Sequence, residues 1–127
     1  MARLHVVALD ARLPAWAEAA CAEYAKRMPK GYQVARVDSI PRKTRIVALD
    51  EKGKDLTTVQ FAGLLKSETA FVIGGAEGLA PGVKESAFML LRLSSLTLPH
   101  ALAQVVLLEQ IYRAATLLTG HPYHRGG

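Results

Sequence analysis

Apolar residues fall along this chain in two rhythms: short uninterrupted runs, and longer stretches where they recur every three or four positions. The runs at Leu4–Leu9, Arg45–Leu49 and Ala70–Ile73 read as buried strands, and Tyr32–Val37, which alternates polar and apolar residues, reads as another. From about Pro14, the residues Trp16, Ala17, Ala20, Cys21, Tyr24 and Met28 recur at helical spacing, with Glu18, Glu23, Lys26 and Arg27 mostly opposite. That pattern predicts a helix lying on a sheet with one side in water, stopped by Pro29-Lys30-Gly31. Thr57 and Gln60 fit a capping box, so a helix is expected to start there and run through Val59, Phe61, Ala62, Leu64 and Leu65 to about Lys66. Asp50–Lys54 reads as a charged turn, Val83–Leu91 as a helix, and Leu93–Leu98 as a strand ended by Pro99. A last helix is expected over about Ala101–Thr119, with Gly120 as its C-cap and Pro122 beyond.

Strands alternating with helices predict an α/β fold: a mainly parallel sheet of about five strands flanked by helices, in one domain over residues 1–127. One connection does not suit neighbouring parallel strands. Only Asp38–Thr44, about seven residues, joins the second strand to the third, where a crossover between neighbours uses a dozen or more. The last helix is apolar round much of its circumference, through Leu102, Val105, Val106, Leu107, Leu108, Ile111, Tyr112, Leu117 and Leu118. It therefore needs a second cover besides the sheet, and a partner subunit is the simplest.

Composition narrows the classes. Half of the 127 residues are hydrophobic and 6% aromatic, which suits an α/β domain and argues against disorder. The formal charge is +5, and the segment from Lys26 to Lys54 holds nine Lys and Arg against Asp38, Asp50 and Glu51, a local +6. That block is either a solvated surface or a face for an anionic partner such as nucleic acid. Cys21 is the only cysteine, so no internal disulfide can form; it is expected to be a small buried residue. The N-terminal apolar run is too short for a signal peptide, and no uninterrupted apolar stretch reaches the length of a membrane span, so a cytosolic protein off the membrane is expected. No His, Asp and Glu cluster has metal-ligand spacing, and no metal is expected.

The candidate chemistry begins at Thr69–Pro81, a short apolar strand running into Gly74-Gly75-Ala76-Glu77-Gly78. A strand that stops in glycines offers bare backbone groups at the end of a sheet where ligands of α/β proteins sit; a tight structural turn is the alternative reading. Its spacing matches neither the dinucleotide nor the phosphate-loop pattern. Two more stretches stand out: Leu93-Ser94-Ser95-Leu96-Thr97-Leu98-Pro99-His100, and the terminal His121-Pro122-Tyr123-His124-Arg125. By position alone the latter is an exposed tail.

These three stretches, in this order and at these separations, resemble the ribosomal RNA large-subunit methyltransferase H family, a branch of the SPOUT methyltransferases. The resemblance runs from Leu4 to Arg125, with a segment missing after Ile40, around residues 40–44, where relatives carry a helix. It implies a SPOUT-type fold with a C-terminal trefoil knot, S-adenosylmethionine as cofactor, and a homodimer in which one subunit's tail completes the other's site. The implied acceptor is a pseudouridine ring N3 of 23S rRNA in the ribosome.

The resemblance assigns the cofactor to Leu49, Gly74, Gly75, Ser94, Ser95, Leu96, Thr97, Leu98 and Pro99. It assigns the chemistry to His124 as base or hydrogen-bonding group, Tyr123 stacking on or orienting the target base, and Arg125 binding phosphate. Without the resemblance Leu49 reads as core. His100 either caps the last helix or lines the site; Glu77 binds a backbone amide or faces the substrate; Arg113 reads as an interface ion-pair residue, and His5 as a satisfied core histidine. A non-enzymatic RNA- or ribosome-binding relic, and methylation of a different RNA, are the alternatives.

Overall fold

The structure, a computed structural model, describes residues 2–8, 12–75 and 77–126. Five strands, β1 (Ala2–Ala8), β2 (Tyr32–Val37), β3 (Arg45–Asp55), β4 (Thr69–Ile73) and β5 (Met89–Arg92), form one sheet in the order β2-β1-β4-β3-β5. Every pairing is parallel. The helices are α1 (Ala15–Lys26), α2 (Thr58–Ala62), α3 (Val83–Ser86) and α4 (His100–Thr119), with 3-10 turns at Gly63–Lys66 and Pro122–Gly126.

Alternation along the strands sends side chains to two separate cores. On one face Leu4, Val6, Val47, Phe71, Ile73 and Leu91 meet Cys21 of α1, Phe61 of α2 and Leu107, Leu108 and Ile111 of α4. On the other, Val7, Ala48, Ala70 and Val72 form a smaller cluster with Val83, to which Ile40 and Leu79 add partial cover. The central strand β4 is buried at every position, as a parallel strand enclosed on both faces must be. Leu107, Leu108 and Ile111 are wholly buried, at about 2 kcal/mol of apolar burial each. By length and hydropathy α4 would pass for a membrane span, yet those residues bind it to the sheet of this domain.

Local sequence accounts for most element ends. The Pro14 carbonyl accepts the amides of Ala17 and Glu18 at the start of α1. The capping box forms: Thr57 Oγ1 accepts from the Gln60 amide at 3.2 Å, and Gln60 Oε1 accepts from the Thr57 amide at 2.9 Å. α4 ends at Gly120, whose φ of 77° closes the last turn.

Several expectations are corrected. The helix predicted over Val83–Leu91 is a single turn, and the last strand is Met89–Arg92, not Leu93–Leu98, which is a loop. A short apolar run such as Met89-Leu90-Leu91 has no decisive period; its lodging beside β3, with Leu91 in one core and Leu90 against the other, selects the strand. Asp50–Lys54 is not a turn between elements, because β3 continues to Asp55. Its pairing with β5 jumps from Leu49 to Lys54, both opposite Leu91, so residues 50–53 make an excursion from the ladder. Trp16, expected on the apolar face of α1, is exposed. Ala17, Cys21 and Tyr24 define the inner stripe of α1, and Trp16 lies one step off it. His5 is half-buried with Nδ1 lacking a partner, not a satisfied core histidine. The end of the first predicted strand, Leu9 with Asp10, lies outside the described residues.

The short β2–β3 connection is resolved by strand order. β1 and β4 lie between β2 and β3, so the two are not neighbours. The path crosses three strand spacings and steps back three residues, a diagonal of about 17 Å that seven extended residues span readily. Thr44 Oγ1 donates to the Pro41 carbonyl at 2.8 Å within this loop, and Ile40 packs on the smaller core.

Candidate active site

The carboxyl ends of β3, β4 and β5 open into a cleft of about 730 Å³. Its floor is the glycine turn after β4. A Cβ on Gly74 would overlap the backbone of Gly78 and Leu79, so residue 74 must be glycine for the turn to fold back on itself. The Gly78 amide donates to the Gly75 carbonyl at 3.0 Å, and Gly78 takes a φ of 84°. Close backbone contact within the turn, rather than room for a ligand, thus accounts for Gly74.

One wall is the excursion of β3. Leu49 lines the cleft at the last regular pair before it. The excursion returns hard against β5, where a Cβ on Gly53 would come within 2.6 Å of the Leu91 carbonyl carbon. Asp50 ties this wall to α3 through Lys84 Nζ at 2.8 Å and also accepts from the Lys52 amide at 3.1 Å. The lysine bond, then the amide, holds the Asp50 carboxyl below the usual carboxylate range.

The opposite wall is the loop after β5. Ser94 Oγ accepts from the Leu96 amide at 2.9 Å, curling the loop so that Ser94, Ser95, Leu96, Thr97 and Leu98 all reach the cleft. Leu96 is 75% exposed. Pro99 stands just beyond, at the N-cap position of α4. His100 is the first residue of α4 and lines the cleft. Its Nε2 lies 3.0 Å from Nε2 of buried Gln104; with the amide as donor, the ring proton sits on Nδ1. Eight of the nine residues predicted to hold a cofactor therefore line one cleft, and Pro99 flanks it.

The predicted tail residues lie elsewhere. Tyr123, His124 and Arg125 occupy the 3-10 turn after α4, which folds back along the helix as far as Glu109, and none of the three lines the cleft. The tail is ordered against its own helix. Tyr123 Oη donates to Glu109 Oε2 at 3.0 Å, its ring lies 4.5 Å from that of Tyr112, and the Arg113 guanidinium sits 5.1 Å above it. Burial first, then hydrogen bonding to Tyr24 and Glu109, raises the Tyr123 phenol above the usual tyrosine range. His124 Nδ1 is buried with no partner, and Arg125 is exposed. Arg113, expected at an interface, pairs with Glu109 of its own helix at 2.8 Å. Glu77 is exposed. Among the described residues no group of three or more His, Cys, Asp or Glu side chains is placed to hold a metal.

A family model described as predicted SPOUT methyltransferase matches residues 32–124. The chain belongs to the SPOUT methyltransferases. Its curated relatives include the ribosomal RNA large subunit methyltransferase H of Paraburkholderia xenovorans (strain LB400), 44% identical over 154 aligned positions, covering 97% of this chain and 99% of that protein. The protein of the same name from Paraburkholderia phymatum is 42% identical with the same coverage. Since 97% of 127 residues is about 123, about 31 of the 154 positions have no residue here. Among solved structures, the SpoU methyltransferase AviRb from Streptomyces viridochromogenes, in complex with the cofactor AdoMet, superposes with a TM-score of 0.53 at 14% identity. The match takes in 94% of this chain and 58% of that one, and it supports the SPOUT fold.

Sequence reasoning missed several cleft residues. Asp50, Lys84 and Arg92 all line it, from segments read as a turn, a helix and the junction before a strand. Charged residues at the carboxyl ends of strands were the available signal for Asp50 and Arg92, hidden by the misplaced element boundaries. Glu109, a hub for the tail, gave no local signal beyond being a carboxylate in a mostly apolar helix.

Proposed function

We propose that this protein is an S-adenosylmethionine-dependent methyltransferase of large-subunit ribosomal RNA, with a pseudouridine ring N3 in the assembled ribosome as acceptor and a homodimer as the active unit. The observation that carries the reading is the convergence of the glycine turn, Leu49 and the loop from Ser94 to Leu98 on one cleft at the carboxyl ends of the strands. The trefoil threading of the C-terminal third and the curated relatives' named activity belong to the same reading.

The cleft fits the cofactor. Its volume suits a ligand of that size. Backbone groups of the glycine turn and of the loop after β5 are available to a flat polar base, and Leu49, Ile73, Leu96 and Leu98 give an apolar wall that keeps water from a sulfonium. When bound, S-adenosylmethionine supplies an electrophilic methyl group. The chain's part is to align that group with the acceptor and leave the acceptor nitrogen its lone pair. His124 accepts, or hydrogen-bonds, the proton that leaves the nitrogen, and Arg125 holds a phosphate.

Tyr123 is tied to Glu109 of its own helix and no tail residue lines the cleft of its own chain, so the reading has the tail of a second copy complete the site. The unpartnered Nδ1 of His124, and Leu102 and Val106 of α4, which are half-buried and packed in neither core, support a missing neighbour. Of the basic block, Arg27 and Arg36 are paired with Glu23 and Glu18, and Arg45 donates to the Leu64 carbonyl. Lys26, Lys30, Arg42, Lys43, Lys52 and Lys54 are exposed and available to RNA phosphates in a salt-sensitive way.

Calorimetric titration with S-adenosylmethionine, at a concentration where the oligomeric state is known, tests the reading. Binding at one cofactor per subunit or per dimer, followed by methyl transfer to large ribosomal subunits, is the expected result. A folded dimer that binds no cofactor overturns it. The RNA-binding relic, favoured by the missing segment, then stands in its place.

A further inference from the structure

Outside the cleft, the carboxylate of Glu109 accepts three side-chain hydrogen bonds. It sits on α4 with its side chain 19% exposed. Its Oε1 accepts from Gln110 Nε2 at 2.8 Å, and Gln110 Oε1 in turn accepts from Thr58 Oγ1 of α2 at 2.9 Å. Its Oε2 accepts from Arg113 Nε at 2.9 Å and from Tyr123 Oη at 3.0 Å. One carboxylate thus joins α2, α4 and the tail.

The ring of Tyr123 is taken up as well. Tyr112 lies 4.5 Å from it and the Arg113 guanidinium 5.1 Å, and Tyr112 stands on Tyr24 of α1 at 5.8 Å. An aromatic ring that meets a ring and a cation of its own chain, with its hydroxyl bonded to a carboxylate, is built to be held. Networks of this kind fix one arrangement when every member is satisfied. His124 and Arg125 follow Tyr123 directly, so wherever Tyr123 is clamped those two side chains are delivered.

We infer that Glu109, through Tyr123, is a positioning residue for the proposed reaction: the Glu109–Arg113 pair and Tyr112 clamp Tyr123 as the anchor of the tail, and this clamp aims His124 and Arg125 at the substrate. The inference rests on the methyltransferase reading and gives Tyr123 a different part from base stacking. A tyrosine that stacks on the substrate keeps its function as phenylalanine; an anchor held through its hydroxyl does not.

The test uses Y123F, E109Q and the double variant, in the full-length protein. Cofactor affinity is expected to stay within about twofold of the parent in each, because neither side chain lines the cleft. Turnover on large ribosomal subunits is expected to fall at least tenfold with KM nearly unchanged, and the double variant to be no worse than either single one. Full turnover in Y123F, or losses that multiply in the double variant, overturns the inference. Hydrogen exchange of the amides of His121 and Tyr123–Arg125 keeps the test independent of catalysis: it should quicken at least tenfold in both single variants. If the parent protein transfers no methyl group, the functional reading fails, while unchanged exchange in the variants would sink the clamp by itself.

Discussion

Two glycines show how one missing Cβ shapes the cleft. Gly74 allows its turn to fold against Gly78, and Gly53 allows the β3 excursion to return against β5. Gly53→Ala is expected to destabilise the protein by about 2 kcal/mol in a denaturant titration, since backbone atoms rather than a flexible side chain stand in the way. Gly74→Ala is expected to cost at least tenfold in affinity for S-adenosylmethionine by calorimetry, because the floor of the cleft has to reshape. At the same scale, Asp50 carries a depressed pKa set first by Lys84. Its pairing stabilises the fold above the ordinary carboxylate pKa and is lost as pH falls through the depressed one. Lys84→Met should therefore lower the melting temperature at neutral pH, and the gap from the parent should close on acidification below the carboxylate range. A gap that does not change with pH would show that Lys84 acts by packing rather than by charge.

The elements differ in what specifies them. The capping box of α2 is a local device, and Thr57→Ala should cost about 1 kcal/mol in stability without affecting turnover. α4 depends on packing. Ile111, wholly buried between helix and sheet, should cost about 3 kcal/mol as alanine by chemical denaturation. β1, α1, β2, β4 and α4 were legible because run length, helical spacing and end signals all agree there. Residues 83–98 were not. Val83–Leu91 holds enough apolar residues for a helix, and Leu93–Leu98 is a short leucine-bearing run ended by proline, but β3 pairs with Met89–Arg92 and not with the loop beyond. The loop is curled instead by the Ser94 hydroxyl, a side-chain bond that competes with extended structure.

At the scale of the molecule the two ends of α4 belong to different places, one at the cleft and one at the tail. A dimer that shares its sites predicts complementation. S95W, which fills the cleft at an exposed position, and H124A, which lacks the tail imidazole, should each be inactive alone. Mixed and re-annealed, they should recover about a quarter of parental methyl transfer, since half of the dimers are hybrid and each hybrid has one complete site. No recovery from a mixture shown to contain hybrids would mean that cleft and tail do not work together across the dimer.

The sequence by itself determined the α/β class, the parallel sheet, the capped helices and the segments that build the cleft, because these follow from periodicity, end signals and short motifs. Tertiary structure alone decided the strand order that lets seven residues link β2 to β3, the choice between helix and strand at Met89–Arg92, the excursion that brings Asp50 to the cleft, and the docking of Tyr123 on Glu109. Each of these depends on which distant segment lies alongside, and no local pattern carries that information.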